Sequence, residues 1–171
     1  MTDHYAVEIR VLERGDLNAV LDIDAQHSGR RRDEILKRRL ERAFEPGRMV
    51  ISLAATVEGQ LVGFLLGDVL VGEFGVTDQT ASIDTVGVRQ DAQGEGIARR
   101  LLRAYANHVR ALGVERVQTQ VAVANPGLLH FFSRAGFLHA QVVPLELDLG
   151  AVRPGQWDDD DAGDGPTSRE R

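Results

Sequence analysis

Residues 84 to 102 (Asp84-Thr85-Val86-Gly87-Val88-Arg89-Gln90-Asp91-Ala92-Gln93-Gly94-Glu95-Gly96-Ile97-Ala98-Arg99-Arg100-Leu101-Leu102) hold most of the chemistry in this chain. Val86 and Val88 close an apolar strand run, and Gly94 and Gly96 stand at the start of a helical pattern. Glycines at a helix start leave backbone N–H groups bare, because no side chain keeps an anion at a distance. The helix dipole favours negative charge at the same place. Together these features describe a cradle for a phosphate or pyrophosphate beside a strand end.

Two common phosphate loops do not fit. A P-loop needs Lys-Ser or Lys-Thr after its second glycine, whereas Gly96 is followed by Ile97-Ala98. A dinucleotide fingerprint needs three glycines directly after a strand, and here only two occur, after a longer turn. What remains is Gln93-x-x-Gly96-x-Ala98. This resembles the acetyl-CoA signature of the GNAT acyltransferase superfamily, which is Gln or Arg, two residues, Gly, one residue, then Gly or Ala. Downstream, Asn125-Pro126-Gly127-Leu128-Leu129-His130-Phe131-Phe132-Ser133-Arg134-Ala135-Gly136-Phe137 resembles the Asn…Tyr…Gly-Phe segment of the same superfamily.

The resemblance implies a donor site and a reaction. Main-chain groups of Val86, Gly87 and Val88 would pair with the amides of the pantetheine arm. Backbone N–H groups of Gln93, Gly94, Glu95, Gly96, Ile97 and Ala98 would hold the pyrophosphate, and Arg99 could add a charge-assisted contact. Asn125 and Phe132 belong to the same cofactor-binding set. Acetyl-CoA would be the co-substrate, with no metal, and an amine would attack the thioester directly through a tetrahedral intermediate. That amine must lose a proton, so a carboxylate is expected in the cleft. Asp84 is the first candidate, because strand parity points it the same way as Val86 and Val88; Glu73 is the second. Some relatives carry a Glu five residues before the Asn, where this chain has Gln120. The usual Tyr that protonates the departing thiolate is Phe132 here. A thiol of pKa near ~8.5 leaves acceptably without that help. His130 points elsewhere on its helix and Tyr105 falls on a buried stripe. A non-catalytic acyl-CoA-binding module and a transferase of longer acyl groups remain open as alternatives.

The acceptor is less legible. Segments Ser28 to Glu34, Glu73-Phe74 and Val142 to Leu145 are expected to shape its cleft. Asp24, Glu73 and Asp84 would suit a cationic amine, while Arg30, Arg31 and Arg32 would suit an acidic group.

The elements that must position these residues follow from periodicity. The expected order is a strand over 7–11, a helix from Gly15-Asp16, and a second helix from Glu34 to Phe44, N-capped by Asp33 and stopped by Pro46-Gly47. A hairpin over 49–57 and 61–70 turns at Glu58-Gly59-Gln60, and a loop spans 71–80. Ala81 to Val88 is the next strand, with Gly87 marking a bulge or a close backbone approach. The helix after the cradle buries Ile97, Leu101, Tyr105, Val109 and Leu112 and stops at Gly113. A strand over 114–123, a short helix from Asn125-Pro126, and strands over 137–140 and 141–149 complete the order. This is an α/β chain. The resemblance makes it a GNAT fold, a mixed, mainly antiparallel sheet of about six to seven strands flanked by about four helices.

Composition bounds the rest. The chain has 171 residues, 43% hydrophobic and 27% charged, and a net charge of −6. Residues 1–150 read as one domain, which the resemblance makes an acetyltransferase domain. Residues 151–171 read as an acidic, disordered tail, with six acids against two arginines in its last eighteen positions. There is no cysteine, so thiol nucleophiles and Cys-based metal sites are excluded. No run approaches a membrane span and no basic signal segment opens the chain, so a cytoplasmic protein is expected. Neither nucleic acid nor a membrane is an expected partner. Acetyl-CoA and the amine acceptor are, and a homodimer is compatible with the terminal β segments.

Overall fold

The computed structural model describes residues 6–28, 33–43, 50–70, 80–141 and 144–151. The chain divides into two units, Met1–Gly136 and Phe137–Arg171. In the first, the described elements are β1 (Glu8–Val11), α1 (Leu17–Ser28), α2 (Asp33–Ala43), β2 (Val50–Val57), β3 (Gln60–Leu70), β4 (Thr80–Val88), α3 (Ile97–Ala111), β5 (Arg116–Thr119) and α4 (Pro126–Arg134). The sheet order is β1-β2-β3-β4-β5. The first four strands pair antiparallel and β5 joins β4 in parallel. No helix among the described residues is long and apolar enough to cross a membrane.

Helices cover both faces of the sheet. Leu12, Val20, Leu21, Ile23, Leu36 and Leu40 pack with Ala54, Phe64 and Leu66, which seats α1 and α2 on one face. The opposite face carries α3, with Ile97, Leu101, Leu102, Tyr105 and Val109 buried. Two glycines of β3 let α3 approach. A Cβ on Gly63 would stand 3.0 Å from Ile97 and 3.4 Å from Leu101, and one on Gly67 would stand 2.5 Å from the Tyr105 hydroxyl. Tyr105 lies fully buried across this gap, its hydroxyl 2.7 Å from Ser82 O and 3.3 Å from Asp68 O. Burial first, then the Asp68 and Asp84 carboxylates, push its phenol well above the usual value of 10.0.

The helix ends follow their sequence signals. Asp16 starts α1: it accepts the Glu13 N–H at 2.8 Å and a two-pronged Arg10 guanidinium at 2.7 and 2.8 Å. At the end of α3, Gly113 at φ 84° lets its own N–H and that of Val114 return to Arg110 O and Val109 O. Leu112 is the cap residue there and is 44% exposed, so it leaves the stripe that periodicity assigned to it. Asn125 caps α4, accepting the Leu128 N–H at 3.1 Å.

Strand content is lower than the expected six to seven. Five strands form among the described residues, and β5 covers four residues rather than ten. The C-terminal end of β5 coincides with a bulge in β4. Ile83 pairs with Gly67 and Thr85 with Leu66, so Asp84 has no partner in register. A bulge bends and twists its strand. Parallel pairing ends at the same point, Ile83↔Thr119, where Thr119 Oγ1 donates to Ile83 O at 2.9 Å.

In the second unit, the described residues of 137–151 form no strand. Leu145, Leu147 and Leu149 alternate with acids as a strand would, yet all three are exposed. Alternation supplies a face, whereas a strand also needs a hydrogen-bonded neighbour, and none is present there among the described residues.

Candidate functional site

The site forms where β4, freed from β5, runs into the turn before α3. Arg89 N–H donates to Val62 O at 2.8 Å, which fixes the alternation of the antiparallel pair. Gly87 therefore exchanges bonds with Phe64, while Val86 and Val88 direct their N–H and C=O groups away from β3. That is the side β5 has left. Gly87 is the close approach expected at this position, not the bulge: a Cβ there would stand 2.7 Å from Phe64 and 3.1 Å from Ile23.

After Val88 the chain makes a short 3₁₀ turn, Gln90–Ala92. Arg89 Nε contacts Asp91 at 2.6 Å and holds its carboxyl below the usual range. Gly94 and Gly96 then take φ 86° and 75°, a left-handed conformation that glycine enters without steric cost. Neither has an atom within 4 Å of where a Cβ would project, so the loop faces open space. The first return bond of α3 is Arg100 N to Gly96 O. The six preceding N–H groups, Gly94 to Arg99, have no acceptor among the described residues. Six unsatisfied donors on a glycine-opened turn at a helix N-terminus form an anion cradle. Gln93 sits just before it, with its backbone N–H tied to Gln90 O and its side chain 3.5 Å from Val88 O. Arg99 is exposed at the mouth without an acidic partner among the described residues.

The other sequence candidates fall as follows. Asp84 is exposed, with Ser82 Oγ 3.5 Å from its Oδ1. A bulge at Asp84 interrupts the alternation on which the parity argument rests, so parity alone does not fix its direction. Glu73 and Phe74 lie outside the described residues, as do Arg30, Arg31, Arg32 and Val142. Asp24 is buried within α1 at 3% exposure. Asn125 uses its side-chain oxygen as a helix cap. Phe132 is buried, edge-on to Phe131 at 5.1 Å between ring centres. Among the described residues no three His, Asp or Glu side chains assemble into a metal site.

Sequence reasoning passed over four residues that shape the site. Gly63 and Gly67 were detectable, since isolated glycines inside an apolar strand mark close backbone approach. Gln26 and His27 were not. They end α1 and hydrogen-bond Gln90 and Val88 across more than sixty residues of sequence.

A sequence model of the Acetyltransferase (GNAT) family matches residues 17–137. A mycothiol acetyltransferase from Propionibacterium freudenreichii subsp. shermanii is 32% identical over 127 residues, covering 74% of this chain and 38% of that relative. A second mycothiol acetyltransferase, from Rhodococcus jostii, is 31% identical over 104 residues, covering 61% and 34%. The chain thus spans under two fifths of the length of these relatives. Among solved structures, an aminoglycoside N-acetyltransferase in complex with CoA superposes with TM-score 0.73 at 14% identity, covering 87% of this chain and 99% of the other. An aminoglycoside acetyltransferase from an uncultured soil metagenomic sample, in complex with sisomicin, gives TM-score 0.67 at 21% identity over 87% and 99%.

Proposed function

Because the chain belongs to the acetyltransferase (GNAT) family, we propose that it transfers an acetyl group from acetyl-CoA to an amine. The observation that carries this reading is the pairing of two unsatisfied surfaces. One is the row of free amides from Gly94 to Arg99; the other is the outward edge of Val86 and Val88. The first suits a pyrophosphate and the second suits the amides of an extended arm, in the order that CoA presents them. The residues present therefore fit the donor without a further group.

In this reading Arg99 adds charge at the pyrophosphate. The outward N–H groups of β4 are preplaced donors for the oxyanion that develops at the thioester carbonyl. Asp84 is the base, directly or through water, at the point where the bulge opens the sheet. Phe132 offers no proton, so the thiolate departs unaided or takes one from water. Catalytic power of about 10²–10⁴-fold that a general acid supplies elsewhere is absent here. The acceptor is a small molecule or a protein amine.

The test is thiol release from acetyl-CoA in the presence of amino sugars, polyamines, amino acids and peptides. Release with at least one amine class supports the enzyme. Tight CoA binding without release for any of them favours a non-catalytic acyl-CoA-binding module.

A further inference from the structure

The last turn of α1 reaches the site from the face opposite α3. His27 Nε2 lies 2.7 Å from Val88 O. A carbonyl only accepts, so that ring nitrogen carries the proton. Its neighbour Gln26 makes a reciprocal pair: Gln90 N–H donates to Gln26 Oε1 at 3.1 Å, and Gln90 Nε2 donates to Gln26 O at 3.2 Å. With Arg89 N–H on Val62 O at 2.8 Å, the peptide between Val88 and Arg89 is held at both its polar ends.

This clasp falls on a particular group. Of the main-chain groups that β4 directs away from β3 beyond Ile83, Val88 O is the one with protein donors among the described residues: His27 Nε2 at 2.7 Å and Gln93 Nε2 at 3.5 Å engage both of its acceptor sites. The N–H and C=O of Val86 and the N–H of Val88 stay open among the described residues. A strand edge is a repeating template, and an extended ligand could engage it in more than one register, two residues or about 7 Å apart. Blocking one carbonyl removes the repeat.

We propose that His27 is a positioning residue that sets the register of the donor arm on β4. The proposal rests on the reading that β4 and the cradle bind acetyl-CoA. His27 occupies Val88 O, so an amide N–H of the arm is directed to Val86 O. The carbon skeleton of Gln places its Nε2 close to where His Nε2 stands, so Gln can donate in its place. Asn is one bond too short.

The experiment compares CoA with ADP, which keeps the pyrophosphate but lacks the arm, by titration calorimetry on wild type, His27→Ala and His27→Gln. In His27→Ala, CoA binds about 3- to 10-fold more weakly. ADP stays within about twofold, because the free amides of the cradle remain. His27→Gln restores CoA to within about twofold of wild type. His27→Asn, with the same expectation as Ala, serves if the alanine variant does not fold. Equal losses for CoA and ADP, no loss for either, or no restoration by Gln overturn the register role. A wild-type protein that binds neither ligand refutes the donor reading itself, and the register role with it.

Discussion

Gly96 and Gly113 make a matched pair for testing the cradle. They lie at opposite ends of α3, at φ 75° and 84°, and neither has an atom within 4 Å of where a Cβ would project. An L-residue in that conformation costs about 1–2 kcal/mol. Gly96→Ala and Gly113→Ala therefore lose similar stability, and a thermal melt falls by about 2–8 °C for each. Glutamate at either site carries the same backbone cost and adds a charge. If a pyrophosphate rests on the Gly94–Arg99 amides, a carboxylate at position 96 lies about 5 Å from it. That repulsion runs from about 1 kcal/mol at the dielectric of water to about 3 kcal/mol at an effective value near 20. CoA affinity should fall about 4- to 200-fold in Gly96→Glu. In Gly113→Glu it should not change, since that carboxylate stands a whole helix away. Calorimetric titration of CoA into the two variants, with melts to confirm equal destabilisation, gives the comparison. Equal CoA affinity in the two glutamate variants would refute the cradle.

Asp84→Asn is expected to lower turnover at least tenfold while leaving the CoA dissociation constant within about twofold; unchanged turnover removes Asp84 from the mechanism. Tyr105→Phe strips the hydroxyl from Ser82 O and costs about 1–3 kcal/mol by chemical denaturation, with little change in CoA affinity. Tyr105 also gives a pH signature: above its ordinary value of 10.0 the unfolded chain loses the phenolic proton while the folded chain keeps it, so stability falls as pH rises beyond about 10. An absorbance titration should then show Tyr105 ionising only as the protein unfolds. Asp16→Ala removes both the Arg10 pair and the acceptor for Glu13 N–H, and should cost about 1–2 kcal/mol at neutral pH. Arg10 holds the Asp16 carboxyl low, so this contribution is present above the ordinary carboxylate value of 3.8 and fades as pH falls through and below it. The difference between wild type and variant should shrink accordingly in acid melts.

The donor half of the site was legible because its signals are local. Glycines that must take positive φ, a helix start and a valine-ended strand all lie within twenty residues, and each states its own backbone requirement. The Gly113 stop and the Asn125 cap were readable for the same reason. What failed depended on partners. The alternation of Leu145, Leu147 and Leu149 describes a strand face, but sequence does not say which edge would receive it. Parity alone did not fix the direction of Asp84, because a bulge is decided by the register of β3 against β4. Asp24 read as an available acid, yet the depth of α1 against the sheet buries it. His27 had no local signal at all, since its role is a contact with a carbonyl sixty-one positions away.

The two glycines under α3 have unequal consequences. Gly67 meets the helix at Tyr105, and Gly63 meets it at Ile97, eight residues or about 12 Å nearer the cradle. The helix behaves as a lever with two supports. A displacement of about 1 Å at the Tyr105 support, pivoting on Ile97, tilts the axis by about 5° and leaves the first turn almost in place. The same displacement at Ile97, pivoting on Tyr105, carries the whole row of amides with it. Bulk added at Gly67 is therefore felt as lost stability, whereas bulk added at Gly63 is felt as lost aim.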